Sequence, residues 1–315
     1  MKNIVFLFAL LLIGCKQSFN PIVDDKISSI GFLEVLYTDL QSATFDGFAL
    51  TKNKKYNIEE DEKLIFADGD LQVLTRDFKS IAIKDKNTTI SAFNFDTKII
   101  SLSVKEDKLA VLFVDNSITL YSIQNKKRLF KESYKEAISG TKDIPKPLFL
   151  GSIVIYPTLN GEIVFLDSRN RQIKNQISLS NEDFFNNIIH LELVNDKIIV
   201  ASRHKVIALN QNYISEYSDE VKKVISTLNK TYILTRDSRI VELNDNLKKI
   251  YEKKYEFANF INASMVNNKL YILEKSGFLI DYDNNKTMKL FGEIEGKSFF
   301  SNDTLYVEDK SFLFK

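Results

Sequence analysis

The side chain with the most distinctive chemical setting in this sequence is Cys15, the only cysteine among 315 residues. It follows an apolar run, Ile4–Ile13, which is preceded by Lys2 and followed by Gly14. A short basic segment, about ten apolar residues and a small residue form the anatomy of a secretory signal. At roughly 1.5 Å per residue, the run is about half as long as the ~30 Å hydrocarbon core of a membrane and cannot span it. A cysteine thiolate at this point is a nucleophile that can accept an acyl group.

Residues Leu12–Cys15 resemble the lipobox of bacterial lipoprotein signals, in which a leucine, a small or aliphatic residue and a glycine precede the cysteine. The resemblance implies cleavage between Gly14 and Cys15 and attachment of acyl chains to Cys15. Several chains hold a protein at a bilayer lastingly, whereas one chain binds only marginally. Lys16 stands where an aspartate would favour the inner membrane, so the predicted location is the periplasmic face of the outer membrane. An ordinary secretory signal with a chance cysteine is the alternative.

The composition excludes some classes of partner. The chain has 43 basic and 42 acidic residues and no polybasic segment, so neither nucleic acid nor an anionic lipid surface is an expected partner. Its 44% hydrophobic content is sufficient to fill a core, and its length is compatible with one large β domain or two ordinary ones. Because Cys15 is the only cysteine, no disulfide within the chain can stabilise the fold, which must depend on burial and strand pairing.

The other residues capable of chemistry form no recognisable catalytic or metal-binding pattern. His190 and His204 are the only two histidines, and no second pair of ligands stands at metal-binding spacing. The segment Gly292–Ser298 (GEIEGKS) is one residue short of a phosphate-binding loop and precedes a β pattern, so it is predicted to be a turn between β units. The sequence therefore predicts no catalytic residue, no metal and no cofactor.

Two segments, Asp85–Thr89 (DKNTT) and Asp283–Thr287 (DNNKT), resemble the acid-preceded acceptor sequence of some bacterial N-glycosylation systems. They nominate Asn87 and Asn285 as glycosylation sites. Chance matches are expected in a chain this rich in Asn, Asp and Thr, and unmodified turns are the alternative interpretation.

The chain repeats a pattern of turn, apolar strand, turn and apolar strand, as in KEDKLAVLFVDNSITLYSI and FLGSIVIYPTLNGEIVFLD. Further β runs flank several of these hairpins. Seven copies recur with a mean spacing close to 40 residues, which is typical of the four short strands of a β-propeller blade. The first-strand anchors of the seven copies are Leu64, Leu109, Ile153, Ile198, Thr231, Leu270 and Leu305.

These repeats predict an all-β fold, a single β-propeller of about seven four-stranded blades. Eight blades are the alternative, if the N-terminal segment forms a blade of its own. The last repeat ends after its second strand, and segments between Gly31 and Leu50, such as ATFDGFALT, are expected to supply the missing outer strand and close the ring. A solenoid competes with the propeller but needs polar caps at both ends. The turn residues expected to tolerate positive φ are Gly69, Asn116, Gly161, Ser238 and Gly277.

The repeat PLFLGSIVIYPTLNGEIVFLD resembles that of quinoprotein-type (PQQ-like repeat) propellers, with a proline, two glycine turns and a strand ending in aspartate. A lipid-anchored propeller of this type is similar to the propeller lipoprotein of the outer-membrane β-barrel assembly machinery. In the quinoprotein-type family a tryptophan packs between neighbouring blades, but this chain has no tryptophan. The aromatic residues expected to substitute for it are Phe130, Tyr217, Tyr251 and Phe291.

The predicted organisation is a signal peptide at 1–14, a lipidated N-terminus and tether at 15–27, and a propeller at 28–315. The predicted function is that of a non-catalytic envelope lipoprotein, a docking scaffold for protein partners in the assembly or maintenance of outer-membrane proteins. Its membrane contact is through acyl chains on Cys15, and the sequence does not identify its protein partner. The alternative is a quinoprotein-like enzyme or a small-ligand-binding propeller that uses the central channel, although the missing tryptophans and metal ligands disfavour a redox cofactor there.

Overall fold

The computed structural model describes residues 18–137, 144–179, 186–210 and 213–314, and all its regular elements there are β-strands. Thirty-three strands assemble into eight sheets within these residues. No helix formed by the described residues has the length and apolar character needed to cross a membrane. Gly14, Cys15 and the rest of the predicted signal lie outside the described residues.

The strands follow one another as successive blades, numbered here in chain order. Two short strands, β1 (Asp25–Lys26) and β2 (Gly31–Phe32), come first and join blades 7 and 8. Blade 1 contains β3 (Tyr37–Thr38), β4 (Ser42–Phe45), β5 (Phe48–Thr51) and β6 (Lys55–Asn57), and blade 2 contains β7 (Lys63–Asp68), β8 (Leu71–Thr75), β9 (Ser80–Asp85) and β10 (Thr88–Asn94). Blade 3 contains β11 (Ile99–Lys105), β12 (Lys108–Phe113), β13 (Ser117–Ser122) and β14 (Arg128–Ser133), and blade 4 contains β15 (Leu148–Leu150), β16 (Ile153–Pro157), β17 (Glu162–Asp167) and β18 (Gln172–Ser178). Blade 5 contains β19 (His190–Val194), β20 (Lys197–Ala201), β21 (Lys205–Leu209) and β22 (Ile214–Ser218), and blade 6 contains β23 (Val221–Ser226), β24 (Lys230–Thr235), β25 (Arg239–Asn244) and β26 (Lys249–Lys254). Blade 7 contains β27 (Phe260–Val266), β28 (Lys269–Glu274), β29 (Phe278–Asp281) and β30 (Lys286–Lys289), and blade 8 contains β31 (Ser298–Phe300), β32 (Thr304–Val307) and β33 (Lys310–Leu313).

The predicted all-β propeller with four-stranded blades is confirmed, and the number of blades is eight, the alternative, rather than seven. The segment ATFDGFALT is not an outer strand. It forms the central hairpin β4–β5 of blade 1, between Tyr37–Thr38 and Lys55–Asn57. Blade 1 was missed because its strands are only two to four residues long, too short to show an alternating pattern.

The seven predicted anchors are buried except for Ile153, which is half-buried. Six of them lie in the second strands of blades 3 to 8, but Leu64 lies in the innermost strand of blade 2. The first copy was therefore displaced by one strand, which hid the blade before it. All five predicted turn residues have positive φ: Gly69 (57°), Asn116 (58°), Gly161 (82°), Ser238 (69°) and Gly277 (85°).

The hydrophobic core is divided among the interfaces between neighbouring blades. Between blades 3 and 4, for example, Leu112 and Leu120 of one blade pack with Tyr156 of the next. The second and third strands of a blade are buried on both faces, as β12 and β13 show, so their sequences are continuous apolar runs. Each blade therefore depends on both of its neighbours for burial.

Three of the four aromatic residues predicted to replace tryptophan do pack between blades. Phe130 lies against the core of blades 3 and 4, Tyr217 against that of blades 5 and 6, and Phe291 against that of blades 7 and 8. The prediction for Tyr251 is wrong, since this side chain is exposed on the outer strand of blade 6. Tyr255, four residues later, fills the interface between blades 6 and 7 instead.

Blade 8 takes its outer strand from the N-terminal segment. Strand β2 pairs antiparallel with β33, with Gly31 opposite Ser311. The pairing continues beyond β2, because the amides of Leu33 and Val35 donate to the carbonyl oxygens of Asp309 and Glu308 at 2.7 and 2.8 Å. The chain then enters blade 1, so the ring is closed by hydrogen bonds and packing between its first and last blades.

The residues that precede β2 lie against blades 6 and 7. Phe19 is buried, and its ring meets those of Tyr255 and Phe278 edge-on, with centroids 6.3 and 5.5 Å away. Strand β1 pairs in parallel with β30 as a fifth strand of blade 7, with Asp25 opposite Met288. The boundary at residue 27 stays a prediction, but part of the predicted tether contacts the ring.

Gly277→Ala is expected to lower the free energy of unfolding by about 3 kcal/mol or more. Gly277 has a φ of +85°, and a Cβ at this position would lie 2.1 Å from the carbonyl oxygen of Gly292. Gly69→Ala is the matched control, since Gly69 also has a positive φ but open space around its Cβ, and about 1 kcal/mol is the expected loss. Denaturant unfolding followed by circular dichroism compares the two variants, and equal losses would contradict the importance of the Gly292 contact.

Phe45→Ala is expected to lower the free energy of unfolding by about 3–5 kcal/mol, because it opens a cavity where the ring closes. Phe45 of blade 1 is 1% exposed, and its ring centroid lies 5.0 Å from that of Tyr306 in blade 8. Phe32→Ala on the closing strand removes a side chain that is 79% exposed, so a change within about 0.5 kcal/mol is expected. Hydrogen exchange should accelerate at β2 and β33 in Phe45→Ala only. Unchanged exchange there would show that closure does not depend on this contact.

Candidate functional site in the central channel

The ring has two ends that carry different loops. Because the strands of a blade are antiparallel, the turn between its second and third strands lies at the same end as the connections between blades, called here the upper end. Backbone hydrogen bonds tie these turns to the next blade. The amide of Val221 donates to the carbonyl oxygen of Arg203 at 2.7 Å, and that of Ile294 donates to the carbonyl oxygen of Lys275 at 2.7 Å. The backbone of both cationic residues is thereby fixed at the upper end.

The innermost strands surround a cavity of about 1180 Å³, called here the channel cavity. Strands β19, β23, β27 and β31 contribute to its wall, together with turns of blades 1 and 2. Charges of both signs line it, among them Lys52 and Glu192. The ammonium group of Lys52 donates to the carbonyl oxygen of Met265 at 2.9 Å, which links blade 1 to blade 7. The channel wall is therefore polar and internally hydrogen-bonded.

An ion pair crosses the channel cavity from blade 4 to blade 1. Lys146 Nζ lies 3.0 Å from Asp39 Oδ2, and the two side chains are only 8% and 16% exposed. The other carboxylate oxygen, Oδ1, accepts hydrogen bonds from the amides of Gln41 and Ser42 at 2.7 Å each. The turn Asp39–Gln41 thus projects into the channel, and Leu40 lines both this cavity and a smaller one beside it.

The smaller cavity, called here the upper cavity, has a volume of about 420 Å³ and lies between blades 5, 6 and 7. Four cationic residues line it, and no Asp or Glu of the described chain does. Arg203 and Arg236 come from upper turns, and Lys222 and Lys223 come from the start of β23. The site is therefore strongly cationic within a chain of almost balanced charge.

The cations of the upper cavity affect one another. Burial, and after it the charge of Arg236, lowers the pKa of Lys222 below its ordinary value. The charge of Glu274 opposes this shift, and that of Lys275 adds to it. Burial and then Arg236 also lower the pKa of Arg203. Lys222 keeps solvent access, but the concave wall excludes enough water to disfavour its charged form. A negatively charged ligand would counteract this penalty.

The carboxylates of Glu274 and Glu293, in blade 7 and the connection that follows it, are already engaged. Buried Glu274 accepts hydrogen bonds from the amides of Asn259 and Ser276 at 3.0 and 2.7 Å. Burial raises its pKa, and those hydrogen bonds oppose the shift. Glu293 forms an ion pair with Lys275 at 3.0 Å.

The residues singled out in the sequence lie apart from one another. Asn87 and Asn285 are exposed in turns between third and fourth strands, so both are accessible, and their glycosylation stays a prediction. His190 lines the channel, with Nε2 3.2 Å from Ser226 Oγ, whereas His204 Nδ1 lies 3.3 Å from Glu220 at an upper turn. Of the segment Gly292–Ser298, residues 292–297 belong to the connection from blade 7 to blade 8, as predicted, and Ser298 begins β31.

Residues that could hold a metal ion do not come together in the part of the chain that is described, where no group of three His, Cys, Asp or Glu side chains is found. Neither the upper cavity nor the cross-channel ion pair can be predicted from the sequence. Lys146 and Asp39 are far apart in the chain, and each looks like an ordinary turn residue. The only usable signal was the basic character of the upper turns at Arg203 and Arg236, which carries no information until the blades are placed.

Comparison with solved structures supports the fold. BamB from Moraxella catarrhalis matches with a TM-score of 0.64 and 14% identity, over 95% of this chain and 98% of that one. The C-terminal WD40 domain of Sif2 matches with a TM-score of 0.67 and 10% identity, over 93% and 99%. At such identities the likeness is one of fold alone. The predicted similarity to the propeller lipoprotein of the barrel assembly machinery is confirmed at that level.

Comparison of sequences gives two related proteins, and no family model matches. The plasminogen-binding protein PgbB of Helicobacter pylori strain J99 is 30% identical over 193 residues, which are 60% of this chain and 36% of that protein. PgbB of strain 26695 is 29% identical over 194 residues, 60% and 35% of the two chains. The chain is thus a distant homologue of PgbB, and the match spans little more than a third of these relatives' length.

Lys146→Met is expected to lower the free energy of unfolding by about 3 kcal/mol, because it leaves the carboxylate of Asp39 buried without its cation. Asp39→Asn keeps an acceptor for the Gln41 and Ser42 amides but leaves the ammonium group of Lys146 buried without its anion, so a similar loss is expected. The double variant should recover much of the stability. Urea unfolding of the four proteins gives the coupling free energy, and additive losses would show that the pair contributes nothing.

Proposed function

We propose that this chain is a non-catalytic envelope lipoprotein that serves as a protein-docking scaffold. Acyl chains on Cys15 anchor it to the periplasmic face of the outer membrane, and its ring receives protein partners that take part in the assembly or maintenance of outer-membrane proteins. The lipobox-like Leu12–Cys15 and the following Lys16 support the location. The propeller supplies a rigid support for loops at both ends.

The observation that carries the binding function is the homology to a protein named for binding another protein, plasminogen, over 60% of this chain. The Lys146–Asp39 pair and the Asp39–Gln41 turn line the channel, so a small molecule bound there would have to lie beside them. The likeness to BamB supports the fold alone, and proteins of one fold have many different functions.

Plasminogen is a second candidate for the protein partner. The name of the homologous protein favours it, and nothing in the upper cavity itself does. It would require the ring to face the exterior of the cell. Biolayer interferometry with immobilised plasminogen tests it directly, and saturable binding would favour this partner over a periplasmic one.

The competing function is that of a quinoprotein-like enzyme or a small-ligand-binding propeller that uses the central channel. A stoichiometric small molecule in the purified protein, detected by native mass spectrometry, would favour this function. The channel cavity of about 1180 Å³ is where such a molecule would have to bind.

Crosslinking in intact cells, followed by mass spectrometry, is expected to recover a defined membrane-associated protein with the wild-type chain. Cys15→Ser should remove the acylation site, so the protein should appear in the soluble fraction or retain its uncleaved N-terminus, and recovery of the partner should fall. The soluble variant must still melt cooperatively for the comparison to be valid. Unchanged membrane attachment and an unchanged N-terminal mass would contradict lipidation, and recovery of no protein would contradict docking.

A further inference from the structure

We propose that the upper cavity binds an acidic segment of a protein partner, a loop or tail in which carboxylate side chains alternate with apolar ones. The proposal rests on the docking function and specifies the chemistry of the docked segment. Its first support is the positive charge of Lys222 and Arg236 in the lining, which also contains Arg203 and Lys223. Such a concave cationic site concentrates field lines and attracts anions.

The geometry of Lys222 shows how a carboxylate would be held. Its ammonium group donates to the neutral side-chain oxygen of Asn259 at 2.5 Å, which uses one of its three hydrogen-bond donors. Asn259 therefore orients the group without neutralising it. A carboxylate placed between Lys222 and Arg236 would make charge-assisted hydrogen bonds and relieve the repulsion between the two cations.

Apolar surface beside the cations favours a peptide over a free anion. Leu40, Leu234 and Phe260 belong to the wall of the cavity, where they offer contacts that an inorganic anion cannot use. Leu40 is 37% exposed, so part of this apolar wall is accessible to a partner. An apolar side chain of the peptide that is buried against Leu40 would contribute to the affinity.

The test is fluorescence anisotropy of full-length protein in detergent with a labelled peptide of alternating Asp, Leu and Glu residues. Lys222→Glu and Arg236→Glu should each weaken binding about tenfold, and binding should weaken as salt is added. The matched controls are Lys131→Glu and Lys174→Glu, exposed on the outer strands of blades 3 and 4, which should change the affinity about twofold or less. A peptide with Asn and Gln in place of the acids should bind far more weakly. Thermal melts must show that all variants are folded.

A second arm separates a peptide site from a site for free anions, with inorganic phosphate as the probe. Leu40→Ala should weaken the peptide about fivefold while leaving phosphate binding unchanged, because only the peptide has apolar side chains to bury against Leu40. Peptide affinity that is insensitive to Lys222→Glu and Arg236→Glu would overturn the proposal. Phosphate binding without peptide binding would overturn it as well, in favour of a site for small anions.

The same variants distinguish this proposal from the docking function as a whole. If crosslinking in cells recovers one partner equally with wild-type protein and with the double variant Lys222→Glu/Arg236→Glu, docking stands and the acidic-segment proposal fails. If the acidic peptide binds as expected but cells yield no partner, the cavity stands as a peptide site and the scaffold function fails.

Discussion

The pairing of β2 with β33 is the interaction on which the rest of the structure depends. It joins residues 280 positions apart, Gly31 and Ser311, and completes the outer edge of the last blade. Each blade buries its apolar faces against two neighbours, so an open ring would leave the surfaces of blades 1 and 8 in water. The upper turns, the channel and both cavities keep their positions because this pairing, together with the packing of blade 1 against blade 8, closes the ring.

The sequence revealed the repeat clearly and its boundaries poorly. Long strands that are buried on both faces, such as β12 and β13, produced the period from which the propeller was predicted, and residues such as Gly161 and Asn116 marked the turns. Blade 1 was misread because its strands are short, and because the apolar run at Leu64 belongs to an inner strand instead of a second strand. Local patterns identify strands well, but they do not indicate whether a strand is the first, second, third or fourth of its sheet.

The candidate site could not be predicted from local patterns at all. Lys222, Arg236 and Arg203 stand in separate blades or separate turns, and each resembles the many surface cations of a chain with 43 basic residues. Their significance arises when the ring places them around one concavity whose described lining contains no Asp or Glu. The same holds for Lys146 and Asp39, whose pairing depends on blades that are not neighbours. Sites of this kind are properties of the closed ring, and no single repeat encodes them.

The docking of Phe19 between Tyr255 and Phe278 limits how the anchored ring could stand on a membrane. Phe19 follows Cys15 by four positions, and an extended chain spans at most ~3.6 Å per residue, which gives a reach of about 14 Å. With acyl chains on Cys15, a short segment of chain would hold the ring close to the membrane surface. The rims of blades 6 and 7 would face the bilayer, and the ring could pivot about that edge but could not turn over. Partners would then be met at membrane height and in one orientation, so that encounters become a two-dimensional search.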